Sequence, residues 1–463
     1  ENSYQMNTIN DAIILRNRII DLMEQAENET DPILRKALLR IVIVGGGFAG
    51  MNVAKKLIKL QAFQVVLIDK RNYHTFQPLL YQVSTSSLEP DSIAYPLRKL
   101  ITEKKNAFFR LAEVTSIDTE HTKIFSDIGE LAYDYLILAT GSKTNFFGND
   151  TVEENAMWMK TIPQALNIRS LILENLEQAA ITKDARARKR LLNFVIAGAG
   201  PTGVELSGAI AEVRNNIVPK DYPDIDISEM KIHLLEGLDR VLPPMSEKAS
   251  MKAEKFLKDL GVYIHLNTMV EDYDGELVKT NTDESFETET FIWSAGVTGS
   301  PVKGLNASAI VDRANRYQVN VFNQVEGYEN VFAIGDIALM KSEEYPKGHP
   351  MVAQPAIQQG KHLAKNLERI IKKQKLEPFN YFDKGTMATI GRNKAVVDLN
   401  KSTFGGFFAW FIWMFVHLWF LVGFRNRVVT FFNWTYSYIN FDRAARLIIR
   451  PFKMHKVKLE HKE

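Results

Sequence analysis

Two glycine-rich segments carry the most specific chemistry in the sequence. Gly45-Gly46-Gly47-Phe48-Ala49-Gly50 and Gly198-Ala199-Gly200-Pro201-Thr202-Gly203 both have the spacing G-x-G-x-x-G. In such a loop the first glycine makes a tight turn, the second lets backbone approach a pyrophosphate, and the third lets helix and strand pack closely. Unpaired N–H groups at the start of the next helix then face the phosphates. An apolar run leads into each loop (residues 40–44 and 193–197), and an acid closes the next apolar run, Asp69 in one case and Glu236 in the other. There each acid can accept from ribose hydroxyls. The second interval is long because residues 219–228 insert a loop. A carboxylate repels a 2′-phosphate, so Glu236 favours NAD(H) over NADP. The plainer reading, two glycine turns in an α/β sheet, does not account for the two acids.

These residues require a strand, a tight turn, a helix and a second strand, and that order occurs twice. Laid together at an offset of 153 residues, Arg16 meets Arg169, Glu24-Gln25-Ala26 meets Glu177-Gln178-Ala179, and the three motif glycines of one loop (Gly45, Gly47, Gly50) meet those of the other (Gly198, Gly200, Gly203). Arg35-Lys36 meets Arg188-Lys189 in the same register. Matches at polar helix positions exceed what two nucleotide folds share by physics, so the pattern points to duplication or a constructed sequence. Residues 8–39 read as amphipathic helices, with Ile13, Ile14, Ile20, Leu22 and Met23 on the apolar side. Residues 164–192 read as a helical stretch ahead of the second loop.

At 463 residues the chain is long enough for two or three domains. Lys+Arg number 57 and Asp+Glu 55, so no global field argues for nucleic acid. Cysteine is absent, which excludes disulfides, thiolate-held metals and any relay through a redox-active thiol pair. No metal site is visible, and no basic segment followed by an apolar run marks a secretory signal at the start.

Two further segments extend the nucleotide-binding pattern. Tyr133-Asp-Tyr-Leu-Ile-Leu-Ala-Thr-Gly141 and Asn330-Val-Phe-Ala-Ile-Gly-Asp336 are each a strand ending in a small-residue turn. They resemble the ATG and GD motifs of the two-dinucleotide flavin oxidoreductases, and Ile292-Trp-Ser-Ala-Gly296 resembles the return crossover from their NAD domain. The resemblance narrows at His74-Thr-Phe-Gln-Pro-Leu-Leu-Tyr-Gln82, Pro201-Thr-Gly-Val-Glu205 and Ala353-Gln-Pro-Ala-Ile-Gln-Gln-Gly360. Over residues 40–453 the chain is similar to the type II (non-proton-pumping) NADH:quinone oxidoreductases.

That resemblance implies an α/β fold with two Rossmann-type dinucleotide-binding domains, for FAD and NAD, and a C-terminal α-helical membrane-anchoring segment. It implies FAD contacts at Gly45, Gly46, Gly47, Phe48, Ala49, Gly50, Asp69, Lys70, Val114, Ala139, Thr140, Gly141, Asp336, Ala356 and Ile357. NADH contacts fall at Gly198, Gly200, Pro201, Thr202, Gly203, Glu236, Ala295 and Gly296. Gln354 and Gln358 would bind quinone, and Glu205 would be the catalytic acid between the nicotinamide and quinone sides. Each has a plain alternative: an acid in a first helical turn suits the helix dipole, and two glutamines four apart often form a solvated face. His74 is the imidazole expected near the flavin, with no catalytic role assigned.

Residues 402–424 carry no formal charge, and 404–424 are almost wholly apolar, long enough for a spanning helix. Trp434, Tyr436, Tyr438 and a basic flank of Arg443, Arg446, Arg450, Lys453, Lys456 and Lys458 follow, the marks of a segment at an anionic leaflet. Spanning and monotopic arrangements both fit the residues; the resemblance favours the monotopic one, on the cytoplasmic face of the inner (cytoplasmic) membrane.

The expected organisation is an N-terminal helical extension (1–39), a FAD-binding domain in two parts (40–160 and 301–375), an NAD(H)-binding domain (161–300) and a membrane-associating domain (376–463). The extension departs from the family, whose members start close to the first strand. The function expected is hydride transfer from NADH to FAD and then two electrons to a quinone at a lipid bilayer surface, with a homodimer compatible. The alternatives are an oxidase or reductase using oxygen or a soluble acceptor, and a slow-turnover flavoprotein with a signalling or scaffold role.

Overall fold

The computed structural model describes residues 39–101, 104–311, 313–399, 402–440 and 445–449. The expected N-terminal helices and Arg443, Arg450, Lys453, Lys456 and Lys458 lie outside those residues. The described residues divide into two compact units, each built from discontinuous stretches: 39–75, 95–143 and 297–383 in the first, and 76–94, 144–296 and those from 384 to 449 in the second.

Two parallel five-stranded sheets organise the units. Their strands, in chain order, are β1 (Leu39–Val44), β2 (Phe63–Asp69), β3 (Ala107–Leu111), β4 (Tyr135–Leu138), β5 (Met157–Trp158), β6 (Asn193–Ala197), β7 (Lys231–Leu235), β8 (Tyr263–His265), β9 (Thr290–Trp293) and β10 (Val331–Ala333). The first unit runs β10-β4-β1-β2-β3 and the second β5-β9-β6-β7-β8. The two orders are the same, with β1 and β6 central. A chain leaving a central strand finds its next partner on one side and its later partner on the other, which opens a crevice at the carboxyl ends. Both glycine loops sit there.

Burial on both faces explains the unbroken apolar runs. Ile41 and Ile43 of β1 pack with Val53, Leu57, Leu363 and Leu367, while Val42 and Val44 face Ile117, Ile124 and Tyr317. The helices that supply these residues and the sites are α1 (Phe48–Leu57), α2 (Pro201–Asn216), α3 (Ala353–Ile371), α4 (Phe407–Phe420) and α5 (Phe424–Asn440).

The internal repeat is more extensive than the sequence indicates. Three antiparallel strands (Val114–Asp118, Lys123–Ser126, Gly129–Ala132) follow β3, and three more (Val270–Tyr273, Leu277–Thr280, Ser285–Glu287) follow β8. Ile292 and Trp293 end β9, parallel to β6 as β4 is to β1, and the chain passes from the second unit back to the first directly after Gly296, as the crossover expected at 292–296 requires. Ser294-Ala295-Gly296 is thus the counterpart of Ala139-Thr140-Gly141. The expected helical stretch 164–192 is two helices, Ile162–Ile181 and Ala185–Leu191. Asp184 divides them by accepting from the N–H groups of Arg186 and Ala187, a cap that starts the second helix afresh.

The tail differs from a single apolar helix. Thr386–Thr389, Ala395–Leu399 and Ser402–Gly406 form an antiparallel meander, so the start of the apolar run closes a sheet. Helix α4 has 14 residues, about 21 Å at 1.5 Å per residue, against a hydrocarbon core of about 30 Å. Leu421 then leaves helical geometry and Gly423 takes φ +92° before α5 begins. No described helix is long and apolar enough to cross a membrane, which overturns the spanning alternative for residues 404–424. Ala409 and Trp413 are buried, whereas Phe408, Phe411, Phe415 and Trp419, at three- and four-residue spacing, are exposed on one stripe. Helix α5 seats within the same unit: Trp434 Nε1 donates to Gln82 Oε1 at 2.7 Å, Asn426 Nδ2 to the Ala94 carbonyl at 2.8 Å, and Arg425 pairs with Asp91 at 3.1 Å.

Candidate active site

The two loops are built alike. Gly45 and Gly198 have φ +107° and +96°, and a Cβ on either would lie 2.3 Å from the Ala139 carbonyl oxygen or 2.7 Å from the Ala295 nitrogen. A Cβ on Gly50 or Gly203 would lie 1.8 or 1.9 Å from the carbonyl oxygen of the loop's own first glycine. By contrast, a Cβ on Gly47 or Gly200 would meet nothing within 4 Å. Packing within the protein therefore does not require glycine at these second positions, and the space in front of them is open to the close approach of a pyrophosphate. Helices α1 and α2 begin there with no side-chain cap and no acid in the first turn, which leaves their N–H groups for phosphate. The residues fit a pyrophosphate in both units.

Each acid holds its own loop. Asp69 Oδ2 accepts from Gly46 N–H at 2.6 Å and Oδ1 from Arg71 N–H at 2.7 Å. Glu236 Oε2 accepts from Ala199 N–H at 2.7 Å and Oε1 from Leu238 N–H at 3.0 Å. A carboxylate oxygen has a second lone pair, so ribose hydroxyls can still be received. Burial pushes the Asp69 carboxyl up, and the Gly46 and Arg71 bonds pull it back.

In the first unit Asp336 Oδ2 accepts from Ser142 Oγ at 2.7 Å, one residue beyond the Ala139-Thr140-Gly141 turn. Thr140 Oγ1 donates to the Ser300 carbonyl, and Gly141 takes φ +70°. Gln359, fully buried, accepts from Gly335 N–H at 2.7 Å and so fixes the residue before Asp336. Gly360 packs against the Ala49 carbonyl, where a Cβ would stand at 2.5 Å. Helices α1 and α3 are thereby held together, with Ala356 buried and Ile357 half-buried in the first turns of α3. Lys70 is exposed beside Glu113 at 3.4 Å, and Val114 is half-buried at the start of its strand. His74 is 1 % exposed, and its Nδ1 lies 3.1 Å from the Gly46 carbonyl, which can only accept, so that nitrogen carries the proton. Burial lowers the imidazole to about 4. His74 is a neutral brace for the glycine loop.

Of the two glutamines on α3, Gln354 is half-buried in the first turn. Gln358 makes a paired amide contact with Phe382, donating Nε2–H to its carbonyl at 2.9 Å and accepting its N–H at 3.0 Å.

In the second unit Glu205 is the fifth residue of α2, not a first-turn acid as expected, and it is buried at 8 % exposure. Its Oε1 accepts a long hydrogen bond from Thr389 N–H at 3.5 Å, and burial raises the carboxyl to about 8. Thr389 and Ala209, one turn along α2, line a cavity of about 120 Å³ together with Glu212, Gln82, Trp413 and Trp434. A few waters fit such a space. Pro201 and Thr202 are exposed at the helix start, and Gly296 is exposed beyond Ala295. Among the described residues no cluster of His, Cys, Asp or Glu could hold a metal ion.

Gln359 and Ser142 were not singled out by their sequence context. Gln359 adjoins a glutamine in the sequence, and only the turn of α3 shows which of them faces Gly335. Ser142 directly follows the ATG turn, and its role depends on a partner 194 residues away.

Two parallel sheets of one topology, each with a glycine cradle and a ribose-side acid, and an aspartate following β10, define a flavin- and nicotinamide-dependent oxidoreductase. Residues 39–360 match the family described as pyridine nucleotide-disulphide oxidoreductase, and residues 384–443 match the NDH2 C-terminal domain. The chain is 38 % identical over 435 residues to the type II NADH:quinone oxidoreductase Ndh of Mycobacterium tuberculosis, covering 91 % of this chain and 92 % of that one. It is 30 % identical to the internal alternative NAD(P)H-ubiquinone oxidoreductase A1 of Arabidopsis thaliana, covering 94 % and 91 %. The solved structure of NDH2 from Plasmodium falciparum in complex with NADH shares the fold, with a TM-score of 0.81 at 23 % identity over 89 % of this chain and all of that one. The chain belongs to the type II NADH:quinone oxidoreductases.

Proposed function

We propose that the protein oxidises NADH and passes two electrons to a quinone without translocating protons, with FAD held by the first unit and NADH by the second. The observation that carries this reading is the pair of second-position glycines, Gly47 and Gly200, which packing within the protein does not call for and which open space for a pyrophosphate. Bound FAD supplies the redox chemistry, accepting a hydride and returning two electrons. The chain has no cysteine, so no thiol intervenes. In the first unit Gly45–Gly50 and Asp69 take the adenosine pyrophosphate half, Asp336 the ribityl side, and backbone at Ala356 and Ile357 the ring.

Reduction of a quinone consumes two protons. Glu205 is protonated near neutral pH because it is buried, and it is the group best suited to hold one of them. The cavity beside Thr389 gives water a route towards it. Gln354 is the residue assigned to the quinone carbonyl; Gln358, with its amide occupied by Phe382, shapes the wall. Phe408, Phe411, Phe415 and Trp419 are exposed on α4 and Phe431, Phe432 and Tyr436 on α5, a concentration of exposed aromatics of the kind that marks interaction surfaces. It supports a monotopic seat on a bilayer surface, on the cytoplasmic face where NADH is found.

The test is steady-state turnover of the purified holoenzyme with NADH and a short-chain quinone, for the wild type and Gln354→Ala. Fast quinone reduction, lost at least about tenfold in the variant while NADH still bleaches its flavin, supports the reading. A wild type for which quinone is no better an acceptor than oxygen defeats it.

A further inference from the structure

We propose that Phe147 positions the nicotinamide end of NADH in the second unit, a specificity residue additional to the glycine loop and Glu236. This rests on the NADH-binding reading of that unit. The direction of the bound dinucleotide follows from strand order. The pyrophosphate belongs at the loop after β6, and Glu236, at the end of β7, takes the adenosine ribose on one side. The nicotinamide half then extends over the neighbour on the other side, β9, which ends in Ser294-Ala295-Gly296.

Phe147 covers that turn. A Cβ built on Gly296 would lie 2.5 Å from Phe147 Cζ and 2.8 Å from Cε2, so the ring edge rests where any side chain at position 296 would be. Gly296 itself takes φ +79°. Phe147 is 69 % exposed although aromatic, and its backbone has φ +55°, a conformation that bulky residues rarely adopt. Gly148 follows at φ +78°.

Three hydrogen bonds through Asn145 hold this arrangement. Phe147 N–H donates to Asn145 Oδ1 at 2.9 Å, Trp293 Nε1–H donates to the Asn145 carbonyl at 2.9 Å, and Asn145 N–H donates to the Gly296 carbonyl at 3.3 Å. The Trp293 ring meets Phe147 edge-on, with centroids 6.4 Å apart. The ring is therefore fixed from below and open above. Sparsely populated backbone held by its surroundings is characteristic of ligand clamps. A flat heteroaromatic ring laid along β9 would find a preset aromatic face.

The test compares two ligands that differ only by the nicotinamide riboside half, using equilibrium titration of the holoenzyme. For Phe147→Ala, NAD+ binds about tenfold more weakly, the scale of one aromatic contact. ADP-ribose binds within about twofold of wild type, because the adenosine side is untouched. Phe147→Tyr keeps wild-type affinity for both, and Phe147→Leu, which retains apolar bulk without a ring, behaves as the alanine variant. Stopped-flow bleaching of the flavin by sub-saturating NADH slows in parallel, and its reoxidation by quinone does not change. Equal losses for both ligands, or no loss for either, overturn the assignment. A wild type that binds neither ligand defeats the NADH-binding reading of the unit instead.

Discussion

Replacing Glu205 by glutamine removes a buried proton and leaves the shape of the side chain nearly unchanged. The carboxyl is raised from an ordinary 4.5 to about 8, burial being the main cause and the Thr389 N–H a weak opposing one. An unfolded chain releases this proton above about 4.5, whereas the folded chain keeps it to about 8. The stability this group contributes is thus full below 4.5, falls steadily as pH rises through the window, and is constant above 8. At about 1.4 kcal/mol per pH unit, the window spans about 5 kcal/mol as an upper bound, of which about 3 kcal/mol is gone by pH 7. Glu205→Gln does not titrate, so it gains on the wild type across this range: near parity at pH 5, and more stable by about 2–4 kcal/mol at pH 7.5. Thermal unfolding of the two flavin-loaded proteins from pH 5 to 9 reads this directly. The wild type should also lose quinone reduction on the alkaline side of about pH 8, and the variant should show low turnover without that limb. A stability difference between the two proteins that stays flat from pH 5 to 8 would refute the reasoning.

Two more predictions follow from geometry. Gly200→Ala should leave the melting temperature within a few degrees of wild type, since its Cβ meets no protein atom, yet weaken NAD+ binding more than about tenfold by titration; Gly203→Ala, whose Cβ would strike the Gly198 carbonyl, should instead destabilise the fold by several kcal/mol. Phe411→Ser combined with Phe415→Ser should cut sedimentation with anionic lipid vesicles at least about tenfold, with NADH-dependent flavin bleaching unchanged, because each exposed ring offers about 1 kcal/mol or more of apolar contact.

The nucleotide loops and their acids were legible because the constraint is local: the glycines, the strand before them and the acid after them all lie within a short span of sequence. Elements defined by distant partners were not. The segment 292–296 reads as the return crossover, and the chain does leave the second unit after Gly296; what so short an apolar run does not reveal is that its first residues pair with β6 across nearly 100 residues. Residues 404–424 read as one helix because hydropathy averages over a strand end, a helix and a turn, whereas pairing of Phe404 with Val397 commits the first residues to a sheet. Among the three glutamines of α3, sequence singled out Gln354 and Gln358, yet the buried one that orders Gly335 is Gln359, since the direction a helix faces is set by what packs on it. Glu205 stands in a motif, but the backbone N–H that reaches its carboxylate belongs to Thr389, 184 residues later.

The double duty of Glu236 bears on how such a protein changes coenzyme. To admit a 2′-phosphate, evolution or an engineer must neutralise that carboxylate, but the same two oxygens anchor Ala199 and Leu238 N–H groups. Taking the charge away therefore slackens the loop that receives the pyrophosphate shared by both coenzymes. If Glu236 meets the adenosine ribose as proposed, a variant that only neutralises it should bind NAD+ and NADP+ alike more weakly, until a second substitution takes over the two N–H groups.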